Sequence, residues 1–467
     1  MINYTSTYTD LYQLTMSQVY FLKGHKDDKA VFDYLFRKLP FNGGYAVFAG
    51  LEDLINNIEI LRFDEKDIDF LKDKGFKPEF IDYLKNLRFT GNIYSFHEGD
   101  IVFPVQPILQ VEGTIIEAQI IETLLLNLLN FQTLIATKAS RIRQSAKGHK
   151  LIDFGLRRAQ STGGYHASRA AYIGGFDATS NVRAGRDYGI PVSGTMAHSF
   201  IQSYDDELTA FVHFAEENPV DCVLLVDTYD TLKSGLPNAI RVAKMMEGKG
   251  HRLNGIRLDS GDLAYLTKKS REMLDSAGLQ YVKIAVSNQL DEYIINSLLE
   301  QEAPIDVFGV GTSLVTGNPD AALDGVYKLA YTNGKPRIKL SENIAKITLP
   351  HRKQVFRILD NTGNFIGADA VTLANENDVE IIYHPLYPLK SLNIKENHKE
   401  PLLHKVMENG KRLSKPLPLE EIAQYSSERL KRLPAEYKRF NYPHIYKVGL
   451  SKNLKNERDR LIDEYKK

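Results

Sequence analysis

The chain predicts an α/β fold: an α/β barrel preceded by an α+β amino-terminal domain and followed by a smaller antiparallel and helical carboxyl-terminal region. Three observations carry this reading. Between Lys150 and Val310 short apolar runs recur with helical patterns between them, the rhythm of repeated strand–helix units and a parallel sheet. The ends of those runs read DFGLRR, DATSN, GTMAH, DTYDT, RLDSGD, SNQ and GVGT, so Asp, Arg, Ser, Thr and Gly collect where a parallel barrel opens and ligands bind. After Gly317 that rhythm stops and turn-centred hairpins replace it. At 467 residues the chain exceeds the size at which one core stops growing, and we divide it at 1–137, 138–325 and 326–467.

The elements follow in order. Thr9 is a candidate helix cap that puts Tyr12 in a first turn, and Ala30 to Leu39 alternates as a strand that Pro40 to Gly44 closes. Leu51 to Leu61 and Asp64 to Leu71 read as amphipathic helices, and Tyr94 to Val111 as a small antiparallel element broken by GD, FP and QP. The window Ile115 to Leu134 is greasy but carries Glu117 and Glu122, so it reads as a buried helix rather than a membrane span. Strands are expected at Leu151–Phe154, Pro191–Met196, Cys222–Val226, Leu253–Leu258, Tyr281–Val286 and Ile305–Val310, with a shorter one within Gly174–Thr179. Hairpins are expected about Asn333-Gly334 and about Asp360 to Gly363, then charged amphipathic helices at Glu420–Arg432 and Leu454–Tyr465.

Composition narrows the function. Lys plus Arg and Asp plus Glu both number 59, so no bulk positive field exists to hold a nucleic acid, and an anionic ligand must be met by local groups. The single Cys222 rules out an internal disulfide framework and a cysteine zinc site, which fits a reducing compartment. With no basic-then-apolar pattern in MINYTSTYTDLYQLTM, the expected location is the cytoplasm.

The strand ends supply the chemistry. Gly309, Gly311 and Thr312 would offer backbone N–H groups and a hydroxyl to a phosphate, although an ordinary strand-to-helix turn uses the same residue types. Asp227 and Asp259 end adjacent strands and suit Mg2+ with a polyphosphate, or the vicinal hydroxyls of a sugar; Asp230 and Asp262 read instead as helix caps. Arg257 stands two residues before Asp259 and should face the same way, and Arg157 closes the DFGLRR run; a planar guanidinium at a barrel mouth matches a carboxylate or phosphate. Phe154 offers an aromatic face or core packing. His198 follows Gly194-Thr195 at the point where a strand gives way to a helix.

TDLYQLTM, DFGLRRAQ, GGFDATSN, GTMAHSF, DTYDT, IRLDSGDLAYL, SNQLDE and FGVGTSLVTGNPDAALDGVYKL, in that order over roughly the first three quarters of the chain, resemble the nicotinate phosphoribosyltransferase family. The resemblance implies a type II phosphoribosyltransferase fold with an irregular α/β barrel, working as a homodimer. It implies an enzyme of the ATP-dependent ligase and glycosyltransferase class, converting nicotinate and phosphoribosyl pyrophosphate to nicotinate mononucleotide and pyrophosphate. ATP would be the co-substrate and Mg2+ the cofactor, at the first step of NAD salvage from nicotinate. By the same resemblance Tyr12, from the other subunit, and Phe154 would sandwich the pyridine ring, with Arg257 and Thr195 on its carboxylate. Arg157 would serve the phosphoribosyl and pyrophosphate groups, and Asp227 and Asp259 the metal and ribose hydroxyls. Gly309, Gly311 and Thr312 would hold the 5'-phosphate, and His198 would be the phosphorylated histidine. Asp177 matches the position where the related nicotinamide enzyme has an aspartate facing the amide. The alternatives are a nicotinamide phosphoribosyltransferase on the same barrel and a non-catalytic nucleotide-sensing protein.

Overall fold

A computed structural model describes residues 4–342, 346–387 and 389–466. The chain divides into two compact units, one of Met1–Thr137 with Ala322–Lys467, the other of Lys138–Ala321. The carboxyl-terminal region, expected to stand apart from residue 326, is therefore part of the same unit as the amino-terminal segment.

Strand pairing explains that correction. Gly325–Thr332 lies antiparallel to Lys29–Phe36, and His404–Glu408 lies antiparallel to Asn92–Ser95, so one seven-stranded sheet is woven from both ends of the chain. Phe32 stacks on Tyr327 across the first pair, with ring centroids 4.8 Å apart. Buried charges add a second tie. Arg357 is inaccessible to solvent and bridges Asp100 at 2.8 Å and Asp369 at 3.0 Å, while Arg429 reaches Asp100 at 2.9 Å. Losing one member of such a buried set costs about 3–5 kcal/mol because the remaining charges are left uncompensated. The two expected hairpins are present, Gly325–Thr332 with Lys335–Pro336 and Lys353–Leu359 with Phe365–Leu373; Asn333 and Gly334 take the left-handed φ values of 49° and 76° that a tight hairpin needs. The first helix is Leu11–Leu22, with Asp10 rather than Thr9 at its N-cap position and Tyr12 in its first turn.

The other unit holds a parallel sheet in the spatial order Ala178–Thr179, Lys150–Asp153, Val307–Val310, Lys283–Ser287, Gly255–Leu258, Val223–Leu225. Helices intervene between successive strands, as the alternation requires. The Pro191–Met196 run expected as a strand contributes a single parallel bridge from Val192 to Thr179, and the chain from Ser193 to Ala197 is irregular before a helix begins at His198. The fold is thus mixed α/β with a parallel sheet, and among the described residues no ladder joins Val192 to Val223–Leu225. Among the described residues, no helix is long and apolar enough to cross a membrane.

Candidate active site

Where the parallel strands end, a cleft of about 1020 Å3 opens, lined by Phe154, Arg157, Arg158, Ser180, residues 194–198, Arg257, Asp259, Ser287, Asn288, Gln289, Gly309, Gly311, Thr312 and Ser313 among others. The two-residue period of a strand puts Arg257 and Gly255 on one face of their strand and Gly309 and Val307 on the matching face of theirs.

The Lys150–Asp153 strand runs into Phe154 and a short 3-10 turn, Leu156–Arg158, that carries Arg157 and Arg158 to the cleft. Asp153 is buried, and its carboxylate accepts the Gly155 N–H and the Ser168 and Thr179 hydroxyls, each at 2.8 Å. Burial pushes its pKa up, against the pull of those donors. The result is a turn pinned at its root. Gly309 abuts Phe154 so closely that a Cβ there would stand 2.4 Å from two ring carbons, which explains a glycine in a strand.

Arg257 faces that aromatic ring with its Cζ 6.0 Å from the centroid. Its Nη1 donates to Thr195 Oγ1, and its Nε is buried without a hydrogen-bond partner. Burial lowers its pKa, while Asp259 and Asp227 pull the other way. A buried donor left unmade costs about 1–3 kcal/mol, more for a charged group, so the fork is set to receive an acceptor.

Asp259 lines the cleft. Its Oδ1 accepts the Ser287 hydroxyl, and its Oδ2 is 3.9 Å from His198 Nε2. Asp227 is not among the lining residues. Its Oδ2 accepts the Asp259 N–H and the Ser260 hydroxyl, both at 2.7 Å, and its Oδ1 is buried and unpartnered. Asp227 therefore props the turn that presents Asp259. His198 opens the helix His198–Gln202 at the cleft wall, and its Nδ1 lies 3.0 Å from Thr228 Oγ1. Gly311 connects the Val307–Val310 strand to the short helix Thr312–Val315, where the Ser313 hydroxyl is also buried without a partner.

Of the residues singled out by sequence, the cleft thus gathers Phe154, Arg157, Thr195, His198, Arg257, Asp259, Gly309, Gly311 and Thr312. Asp230 and Asp262 are helix caps, accepting backbone N–H groups of the turns they open. Besides Asp227, one placement differs from expectation. Asp177 precedes its strand and sits at the amino end of the sheet, accepting the Leu151 N–H at 2.7 Å and pairing with Arg143 at 2.5 Å; Ser180, beyond the other end of that two-residue strand, takes the place in the cleft. Tyr12, expected to come from the other subunit, is 48% exposed on its helix. Ser180, Asn288, Gln289 and Ser313 also face the cleft, and Thr228 stands behind His198; DATSN and SNQ mark polar strand ends without singling out these residues. No group of three or more His, Cys, Asp or Glu among the described residues could hold a metal ion by itself.

Comparison with known proteins bears on this geometry. Residues 149–360 match the nicotinate phosphoribosyltransferase (NAPRTase) family, residues 7–130 its N-terminal domain and residues 352–458 its C-terminal domain. The Bacillus subtilis nicotinate phosphoribosyltransferase is 46% identical over 473 aligned positions, covering 99% of this chain and 96% of that protein. The human nicotinic acid phosphoribosyltransferase structure superposes with a TM-score of 0.87 at 32% identity, covering 97% of this chain and 99% of the human one. A Pyrococcus furiosus structure described as a nicotinate-nucleotide pyrophosphorylase follows with a TM-score of 0.72 at 27% identity, covering 91% of this chain and 95% of its own. With likeness running end to end, and with Phe154, Arg257, Asp259 and His198 around one cleft, the chain belongs to the nicotinate phosphoribosyltransferase family.

Proposed function

We propose that the cleft joins nicotinate to phosphoribosyl pyrophosphate, forming nicotinate mononucleotide and pyrophosphate, with ATP hydrolysis coupled through a phosphorylated His198. The observation that carries the substrate is the buried, unpartnered Nε of Arg257 beside the Phe154 ring and Thr195, a site suited to an aromatic carboxylate. Asp177 pairs with Arg143 outside the residues that line the cleft, which supports the acid over the neutral amide.

The bond that forms joins the pyridine nitrogen to the anomeric carbon. The bond that breaks is the one from that carbon to the pyrophosphate oxygen, which leaves with the electron pair. Positive charge grows on the ribose and negative charge on the leaving group, so a fixed carboxylate on one side and guanidinium groups on the other stabilise the transition state. Asp259 supplies the first and Arg157 the second. Gly309, Gly311, Thr312 and the unpartnered Ser313 hydroxyl suit the 5'-phosphate. The residues fit Mg2+ in the manner usual for that ion, by a carboxylate or two plus substrate phosphates and waters: Asp259 faces the cleft and Asp227 holds a buried carboxylate oxygen in reserve. Bound there, Mg2+ would offset pyrophosphate charge. In the ATP half-reaction the terminal phosphoryl group moves to an imidazole nitrogen, with ADP leaving, and water later releases phosphate. Thr228 occupies Nδ1 of His198, which leaves Nε2 toward Asp259.

Two finer features belong to the same proposal. Closure of the parallel sheet into a barrel is supported by a cavity of about 860 Å3 lined by Ile152, Ala178, Val223, Gly255, Ala285 and Val307, one residue from each strand, and by Pro191 and Ser193 on either side of the Val192 bridge. A homodimer in which Tyr12 completes the partner's cleft is supported by the exposed apolar residues Tyr8, Leu11, Tyr12, Met16, Val19 and Leu22 in and just before one short helix.

The histidine step has a direct test. His198→Ala is expected to turn over nicotinate at the rate the wild type shows without ATP, with no stimulation on adding ATP and no phosphoryl label retained from γ-labelled ATP. Full ATP stimulation in that variant would refute the coupling.

A further inference from the structure

We infer that Glu292, held by Lys138 and Arg141, is a positioning residue for the Asn288–Gln289 side of the cleft, and through it for phosphoribosyl pyrophosphate. The identity of that ligand rests on the proposed function; the geometry does not.

The Lys283–Ser287 strand ends at a hydroxyl bound to Asp259. The next two residues, Asn288 and Gln289, are left-handed, with φ of 86° and 47°, and both are exposed on the cleft wall. Asparagine visits that region readily and glutamine does not. Two such residues in succession persist where the chain is fixed on both sides. Ser287 fixes one side. On the other, Leu290 is buried, and Asp291 caps the helix Glu292–Glu300 by accepting the Tyr293 and Ile294 N–H groups at 2.9 and 2.8 Å.

Glu292 completes the hold. It is wholly buried; its Oε2 takes Lys138 Nζ at 2.5 Å and its Oε1 takes Arg141 Nε at 2.9 Å, and Arg141 also donates to the Tyr293 hydroxyl at 3.2 Å. Burial alone would raise the Glu292 pKa, yet the two cations overcome it and the pKa falls, so the carboxylate stays charged. Three desolvated charges are a poor way to gain stability, since apolar packing of equal volume does as well or better. What a carboxylate gripped on both oxygens adds is direction. It sets the position and rotation of the first helical turn, and hence of the peptides from Asn288 to Asp291. None of the three charged residues lines the cleft, so they act through the backbone.

The test compares the full-length wild type with Glu292→Gln, Glu292→Asp and the double variant Glu292→Gln with Lys138→Met. The double variant keeps the wild-type sum of the three buried charges, so it remains informative where the single Gln variant folds poorly. In both Gln-containing proteins the KM for phosphoribosyl pyrophosphate should rise about tenfold, with kcat and the KM for nicotinate changed less than about threefold, and Glu292→Asp should recover part of the loss. Calorimetric titration with phosphoribosyl pyrophosphate should weaken by the same factor. A lowered unfolding temperature with unchanged KM and titration would overturn the inference and leave a merely structural ion pair. A wild type that binds phosphoribosyl pyrophosphate but forms no mononucleotide would defeat the proposed reaction, while the titrations would still decide the role of Glu292. A wild type that fails to bind it would defeat both.

Discussion

Arg257→Gln should lower kcat/KM for nicotinate by about 10²- to 10³-fold, roughly 3–4 kcal/mol, while nicotinamide turnover changes less than about tenfold. The asymmetry follows from the site. Nicotinate brings a carboxylate to a half-buried guanidinium whose Nε is buried with no other partner, so the wild type gains a charge-assisted contact that glutamine cannot replace. Nicotinamide brings a neutral amide that either side chain can meet with a single hydrogen bond. Removing Arg257 also frees Thr195 and relaxes the positive charge opposite Asp259 and Asp227, which depresses both substrates alike and sets the smaller shared loss. Parallel kinetics with the two substrates separate the contributions. Equal losses on both would mean that Arg257 holds the cleft together and reads nothing of the substrate.

Asp259→Asn should reduce kcat by about 10²- to 10³-fold with little change in the KM for nicotinate. The substitution is nearly isosteric, and an asparagine oxygen still accepts the Ser287 hydroxyl, so the fold of the turn survives. What disappears is the negative charge facing the ribose. At about 4 Å and an effective dielectric near 20, opposite unit charges attract by about 4 kcal/mol, which bounds the loss at roughly three orders of magnitude. Because Asp259 is also 3.9 Å from His198 Nε2, the ATP-stimulated fraction of the rate should fall further than the ATP-independent fraction. Steady-state assays with and without ATP give both numbers. A kcat within about threefold of wild type would remove Asp259 from the chemistry.

Much of this site was legible in the sequence because a parallel sheet gathers its strand ends, and the alternation of runs told which residues those were. Arg257, Asp259, Gly309 and Phe154 follow directly from that rule, and the assignment of Asp230 and Asp262 to helix caps followed from their position just ahead of helical patterns. Asp177 shows where the rule fails. Its strand has two residues, Ala178 and Thr179, so the two ends of the sheet lie within four positions, and the pattern could not tell that Asp177 is at one end and Ser180 at the other. The GIPVSGTMAH run misled in a related way: its apolar residues suggested a strand, yet Val192 makes a single bridge and Ser193 to Ala197 are irregular. Long-range pairing was beyond reach as well. The antiparallel match of Gly325–Thr332 to Lys29–Phe36, and the buried Asp100–Arg357 pair, join residues hundreds of positions apart, and local periodicity carries no trace of either. The Lys138–Glu292–Arg141 grip was hidden for the same reason, since charged residues in amphipathic helices read as surface until their partners are known.

The ATP-coupled reaction on nicotinate is tested most directly by incubating the purified protein with phosphoribosyl pyrophosphate and Mg2+, with nicotinate in one series and nicotinamide in another, each with and without ATP, and following mononucleotide by mass. Nicotinate mononucleotide, formed faster with ATP, is the predicted result. Product from nicotinamide alone would contradict it, and would mean that the guanidinium of Arg257 is satisfied by something other than the substrate's carboxylate.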